Sequence, residues 1–477
     1  MRRRAGIRLP AVVVLAGIMA GMALVDITDR TPVTFGSSGA FAMPTADGPS
    51  SLTSTWFCAA SANVAEGQSG LDVLVANFGD EARSGTVTWM ADGADPVIRP
   101  LQVGAHDGVS LAADDAVDAG AVSAVVELDG GSVAVEHAVS VGAGSAVAPC
   151  APSASGAWYL ANGTTARDAS EVLVLFNPFP GDAVVDISFS TDQGRDEPEA
   201  LQGLPVPARS TTRVAAGEYV RRRDVAAATV STRTGRVVVD RLQRFDGSEG
   251  RRGIALALAA PAPSPVWTFP AGRHQEGLAE RWHVYNPGER DAVVIVEVAP
   301  EEGEIPIPVE RTVSAGAQLV IDAAEASVVP AGVGHSSVVR SINGVPVVAE
   351  RELSGVAPSP RRGWSSMPGS PLEAERWLLA AGDLGNVGGD RVSVFNPGPG
   401  AVRLSVRAQA GAREVTVAGL EAVELAPGSH RQFDVGDLAD GPPRPLVVEA
   451  DGPVVVERDL SPAADPGIST LLGIPLP

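Results

Sequence analysis

The feature that most constrains this chain is its internal repetition. Four segments open on a tryptophan in an apolar stretch: Trp56-Phe57-Cys58-Ala59, Trp158-Tyr159-Leu160-Ala161, Trp267-Thr268-Phe269-Pro270 and Trp377-Leu378-Leu379-Ala380. A second apolar stretch follows each and ends on an asparagine, at Asn77, Asn177, Asn286 and Asn396. The tryptophan-to-asparagine spacing is 21, 19, 19 and 19 residues, and successive openings lie 102, 109 and 110 residues apart. A period of that length is one small domain, so 477 residues predict four similar domains in a row.

The local signals inside each repeat are those of strands. The asparagine runs into Phe78-Gly79, Pro178, Pro287-Gly288 or Pro397-Gly398, residue types that preset a turn. Stretches such as Ala183-Val184-Val185-Asp186-Ile187-Ser188-Phe189 alternate with period two, as a half-buried strand requires. Asp129-Gly130-Gly131, Thr234-Gly235, Asn343-Gly344 and Asp451-Gly452 predict a closing hairpin in each repeat. The returning strands reach an acid followed by a base: Glu136-His137, Asp240-Arg241, Glu350-Arg351 and Glu457-Arg458.

About seven short strands per repeat, with no convincing amphipathic helix, predict an all-β chain of four tandem immunoglobulin-like β-sandwich domains. A β-propeller is the alternative, with each repeat supplying two blades. The domains are expected at 51–150, 151–262, 263–366 and 367–477. Pro-rich stretches, Ala259 to Pro265 and Gly355 to Glu375, read as semi-rigid linkers. The apolar end, Ile468 to Leu476, is expected to pack as a closing strand.

The N-terminus reads differently. Arg2, Arg3, Arg4 and Arg8 precede an apolar run from Leu9 to Val25 that Asp26 ends. A basic flank before such a run is an export signal and places the remainder outside the cytoplasm. Residues 1–25 are expected to be a transmembrane signal-anchor helix, with membrane contact through residues 9–25. Removal at Gly21-Met22-Ala23 or Ala40-Phe41-Ala42, giving a secreted chain, is the alternative. Residues 26–50, rich in Thr, Ser, Gly and Pro, read as a flexible stalk. In an exported chain the two cysteines, Cys58 and Cys150, are expected to form one disulfide around the first repeat.

The second repeat carries a resemblance. Trp158-Tyr159-Leu160-Ala161-Asn162-Gly163-Thr164-Thr165 leads to Phe176-Asn177-Pro178, Val206-Pro207-Ala208-Arg209-Ser210 and Val239-Asp240-Arg241. This resembles repeats of bacterial surface proteins that open on a Trp-Tyr-Phe-Ala-Glu-Gly-Thr-like stretch and carry a Leu-x-Asn-Pro-Gly turn. Four such repeats behind a membrane segment also resemble an uncharacterised actinobacterial envelope family, a domain of unknown function. Asn162 departs from the usual Glu, and Asn77-Phe78-Gly79 lacks the proline. The resemblance implies location and architecture, and it carries over no catalytic residue.

The search for chemistry points the same way. No lysine occurs, so P-loop, Schiff-base and Ser–Lys chemistry are excluded. A net charge of −21 disfavours nucleic acid as a partner. His106, His137, His274, His283, His335 and His430 lack metal-ligand spacing, and no G-x-S-x-G elbow occurs. Asp114, Asp115 and Asp118 read as a solvated loop rather than a calcium site. Glu136, Asp240, Glu350 and Glu457 recur once per repeat, which points to a structural task, met by a partner on an adjacent strand or by water. The four opening tryptophans read as core, and Trp364, in a Pro- and Ser-rich linker, as the candidate contact surface.

No catalytic residue, cofactor or metal is therefore expected. The chain reads as a non-catalytic cell-envelope spacer, scaffold or protein-interaction module whose partner is an envelope protein or a cell-wall glycan. Carbohydrate or peptidoglycan binding is the alternative, and an envelope hydrolase with paired carboxylates comes third. Each unit is expected to use up its apolar faces internally, leaving no water-excluding cavity that gathers ionisable groups from several units.

Overall fold

The asparagine that closes each second stretch is a buried hub. Asn286 donates from Nδ2 to the carbonyls of Arg290, at 2.7 Å, and Val313, at 3.0 Å, while its Oδ1 accepts from Gly288 N at 3.1 Å. Asn77, Asn177 and Asn396 make the same three kinds of contact. One side chain thus ties its own turn to the loop between the fourth and fifth strands. Three of the opening tryptophans are equally fixed: Trp158 and Trp267 donate from Nε1, at 2.7 Å, to the carbonyls of Val237 and Val347, and Trp377 donates to that of Val454 at 2.9 Å.

The structure, a computed structural model, describes residues 42–59, 68–91, 93–117, 121–141, 144–324, 329–382, 384, 387–438, 443–462 and 467–476. The expected anchor, residues 1–25, lies outside them. Among the described residues no helix is long and apolar enough to cross a membrane.

The described chain is almost all β, in separate antiparallel sheets. Between Thr53 and Pro149 eight strands form two four-stranded sheets, ordered first–sixth–third–fourth and fifth–second–seventh–eighth. The strands from Val266 to Pro368 follow the same order, as do those from Ala157 to Leu258 once Gly194–Asp196 and Gln202–Val206, which both pair with the third strand, are counted together as the fourth. In the last set the sixth and seventh strands are one continuous strand, Leu446–Pro462, which pairs in both sheets. The two sheets of a set share a core, as Trp56, Val87 and Val126 meet Val73 and Val135 in the first. That is a sandwich-like arrangement rather than two separate blades. The sets are called units 1 to 4 below.

Three expectations need correction. In units 1 to 3 the predicted hairpins are arches, as Val122–Asp129 and Val133–Val141 lie in different sheets and do not pair, and in unit 4 Asp451-Gly452 lies inside the continuous strand. Gly130, Gly235 and Gly344 do supply positive φ, of 74°, 78° and 73°. Turn chemistry bends the chain, but face burial decides which sheet receives the next strand. Secondly, the segment read as a linker from Gly355 to Glu375 contains unit 3's eighth strand, Gly363–Pro368. Thirdly, residues 42–50 of the expected stalk are part of the packed structure. Ala42 and Ala46 are buried, Ala46 N donates to Pro475 O at 2.9 Å, and Asp47 O accepts from Ser132 N at 2.8 Å.

The units close into a ring about their eighth strands. Arg252–Leu258 touches both Gly144–Pro149 and Gly363–Pro368, and Thr470–Leu472 touches those same two strands from the other side. The approach is close enough to require glycine. Gly253 has φ of +146°, and a Cβ there would stand 2.7 Å from Trp364 N. Unit 4 meets unit 1 through Gly411 N to His106 O, 3.0 Å, and Ala412 N to Ala105 O, 2.9 Å. Leu256 of unit 2 and Leu378 and Ile474 of unit 4 join the core of unit 1, so the units do not use up their apolar faces internally.

Candidate functional site

The acid–base dipeptides of the seventh strands meet across the seams of this ring. Strand alternation sends the acid and the base of each dipeptide to opposite faces. Each base then reaches the acid of the following unit. His137 Nε2 lies 2.7 Å from Asp240 Oδ2. Arg241 Nη2 donates to Glu350 Oε2 at 2.7 Å. Arg351 donates to both oxygens of Glu457, at 2.6 and 3.0 Å. The fourth seam closes the cycle indirectly: Glu136 accepts from the N–H groups of Ala380, 3.0 Å, and Ala381, 2.8 Å, while Arg458 donates to Ala381 O at 2.6 Å. The expected partner on an adjacent strand is therefore replaced by one in the next unit.

Each glutamate also caps the end of the neighbouring unit's first strand. Glu350 accepts from Ala161 N at 2.7 Å, and Glu457 from Ala271 N at 3.3 Å. These N–H groups stand three or four residues beyond the opening tryptophan, which explains why tryptophan and acid recur together.

A second set of buried acids escaped the sequence reading. Glu171, Glu280 and Asp390 are buried on the second strands, each six residues before the hub asparagine. Asp390 accepts from Arg458 at 2.8 and 2.7 Å, and Glu280 lies 2.9 Å from His335. Gly163 and Gly272 make room: a Cβ at either would stand 2.5 Å from the Oε1 of Glu171 or Glu280. Unit 1 has Leu71 at this position. The fixed offset from the asparagine was the available signal.

Electrostatics at the seams follow from burial. Burial pushes the Glu136 carboxyl up to about 7, against the hydrogen bond from Ala380 and the charge of Arg458. Burial pushes Glu171 up to about 8, with Arg241 pulling it back. It raises Glu457 despite Arg351, and Asp240 despite His137. Glu352 goes the other way: burial opposes its charge, but His283 and Arg281 hold it down at about 2.

Ionisable groups from two units converge most densely on the seam between units 3 and 4. A cavity of about 30 Å³ there is lined by Arg273, Glu301, Arg361, His430, Glu457 and Asp459, among others. The expectation that no cavity would gather such groups is thus overturned, because the seams, not the unit interiors, carry the charges. The space is that of about one water molecule, too small for a sugar. His430 is buried there, with its Nδ1 unpartnered and its pKa lowered to about 4 by burial and by His335.

The remaining candidates have plain places. Cys58 and Cys150 form a disulfide with 4.6 Å between Cα atoms, and His137 Nδ1 lies 3.4 Å from Cys150 Sγ. These three are the only metal-type cluster among the described residues, and the disulfide occupies both thiols. Asp114 and Asp115 sit in a short 3₁₀ turn, and Asp118 lies outside the described residues. Trp364 is not a surface: it is 1% exposed and packs at a tilt of 58° against Phe245 of unit 2, with ring centroids 4.9 Å apart. The Pro- and Ser-rich surroundings that pointed outward are the eighth strand at the ring's centre. All seven tryptophans are buried.

A family model described as a family of unknown function, DUF5719, matches residues 106–361. No curated protein matches the chain. Among solved structures, Thermotoga maritima 1070 is similar at 20% identity and a TM-score of 0.21, covering 22% of this chain and 93% of its own. The Anabaena sensory rhodopsin transducer is similar at 22% identity and a TM-score of 0.17, over 18% of this chain and 94% of its own. A tetra-tandem repeat from the extending region of a large adhesion protein shows 11% identity and a TM-score of 0.10, over 88% of this chain and 99% of its own. At these TM-scores none of the three informs function.

Proposed function

The chain belongs to DUF5719, a family of unknown function, and from that premise we propose that it is a non-catalytic scaffold of the cell envelope that presents a preformed ring of immunoglobulin-like sandwiches to a protein partner. The observation that carries this reading is how the ionisable groups are used. Three of the four recurring bases are spent on the acid of the next unit, Glu136 is held by backbone N–H groups, and the cavity beside Glu457 holds about one water molecule. A hydrolase needs two carboxylates facing a space that admits substrate. A glycan module commonly offers an aromatic platform, and every tryptophan here is buried.

Placement at the membrane rests on Arg2, Arg3, Arg4 and Arg8 before the apolar run 9–25. The first described residues and the last strand adjoin, through the Ala46–Pro475 hydrogen bond. An anchored ring would therefore face the membrane with that end and offer its rim outward.

Two measurements test the reading. Protease protection in intact cells should find the units outside and the N-terminal arginines inside, and the opposite topology would sink it. Affinity capture by the full chain from solubilised envelopes, beside a parallel arm with isolated cell wall, should enrich one envelope protein in stoichiometric amount. Capture of a defined glycan with no protein would overturn the scaffold reading.

A further inference from the structure

Three of the four bases in the ring are arginine, and the fourth is histidine. An arginine keeps its proton at every accessible pH, so the Arg241–Glu350 and Arg351–Glu457 seams keep their cation. His137 does not have that property. It is fully buried and so is its partner Asp240, with 2.7 Å between Nε2 and Oδ2.

The groups that face His137 are few. On the neighbouring strands it stands opposite Val73 and Ala148, which carry no charge. Its other ring nitrogen meets Cys150 Sγ of the disulfide. The position that supplies a second acid in the other units is Leu71 here. Glu136 precedes it on the opposite face and is held by Ala380 and Ala381 of unit 4. Asp240 Oδ1 and Oδ2 have no hydrogen bond besides the contact with the imidazole. The pair therefore touches no other charge, although Glu136 on the opposite face feels the charge of His137. With the proton present it is neutral overall. Without it, one negative charge remains in a water-excluded seam, a costly state.

We propose that the seam between units 1 and 2 is the ring's pH-sensitive joint, closed while the buried His137–Asp240 pair holds its proton and loosened as rising pH removes it. The disulfide lies on the unit 1 side and keeps that sandwich intact while the seam opens. Linkage fixes the steepness: above the titration, each pH unit lowers the closing equilibrium about tenfold.

The test uses the full chain in detergent, with native protein, His137→Arg and the double variant His137→Gln, Asp240→Asn. Thermal midpoints are measured from pH 5.5 to 9. The advantage of His137→Arg over native should be small at pH 5.5 and widen with a one-proton slope, and the double variant should lose that slope. Glu136, whose carboxyl is raised to about 7 by burial and drawn back in part by the charge of His137, is removed from the comparison by carrying Glu136→Gln in all three proteins, and the remaining buried acids cancel in the difference. Amide exchange of the native chain, corrected for intrinsic pH dependence, localises the effect without any variant. Ser210–Ala215, at the unit 1–2 seam, should gain exchange with rising pH, while Val266–Gly272, at the unit 3–4 seam, should not. Equal response of both seams, or a pH-independent gap between native and His137→Arg, would overturn the proposal.

Discussion

Arg351 and Glu457 sit in contact with almost no access to water, and such a pair owes its presence less to net stability than to the geometry it imposes. Removing one partner leaves the other charge buried alone, so Arg351→Ala should lower unfolding stability by about 3–5 kcal/mol in a denaturant titration. Replacing both, Arg351→Met with Glu457→Leu, should restore most of that loss. Glu171 makes a separate prediction. Its folded pKa is raised to about 8 from an ordinary 4.5, so its protonated form favours the fold. That contribution is whole below pH 4.5 and is lost as pH rises through 8. Glu171→Gln should therefore match the native chain near pH 5 and exceed it in thermal midpoint near pH 9. The reverse holds for Glu352, held at about 2: its contribution is present above pH 4.5 and disappears as pH falls through 2. The dipeptides that form the seams were visible in the sequence, down to the opposite facing of acid and base. Their partners were not, because alternation tells which way a side chain points and not which unit lies there. Glu171, Glu280 and Asp390 went unnoticed for a related reason: a single acid in an apolar strand announces burial with a partner only once the partner is known.

The elements were legible where local chemistry dictates them. Asn286 marks a turn in the sequence, and the structure shows that it also ties down the loop at Val313. Asn286→Ala would orphan carbonyls that receive 2.7 and 3.0 Å bonds, at a cost of about 2–4 kcal/mol. A paired comparison of denaturation midpoints with Gln193→Ala, at an exposed turn, would show whether the hub matters more than an ordinary loop amide. The eighth strands were hidden. Gly363–Pro368 lies in a stretch whose prolines and serines carry the signature of a linker, and its apolar residues, Trp364 and Met367, are explained only by neighbours in units 2 and 4. Gly253→Ala tests this close packing: positive φ and the 2.7 Å approach to Trp364 N predict a clear fall in thermal midpoint. The arches were misread as hairpins because an Asp-Gly pair specifies a bend and is silent about the sheet that follows.

On the scale of the molecule, the all-β character was legible in the alternating strands and turn residues, whereas the ring was not. Beads on semi-rigid linkers and a closed cycle share the same strands and turns. They differ in whether the last unit finds the first, and that rests on contacts such as Gly411 with His106, some three hundred residues apart. Because the core of unit 1 is shared with units 2 and 4, calorimetry should show one dominant unfolding transition and not four. Reducing the Cys58–Cys150 bridge, which spans 92 residues, should remove about 4 kcal/mol from unit 1 and lower that transition. The Ala46–Pro475 contact has a mechanical consequence as well. A pull on the two ends of the described chain would converge on that one spot and peel the last strand first. The four sandwiches would hang from it like keys from a clasp, bearing almost none of the load until the clasp gave way.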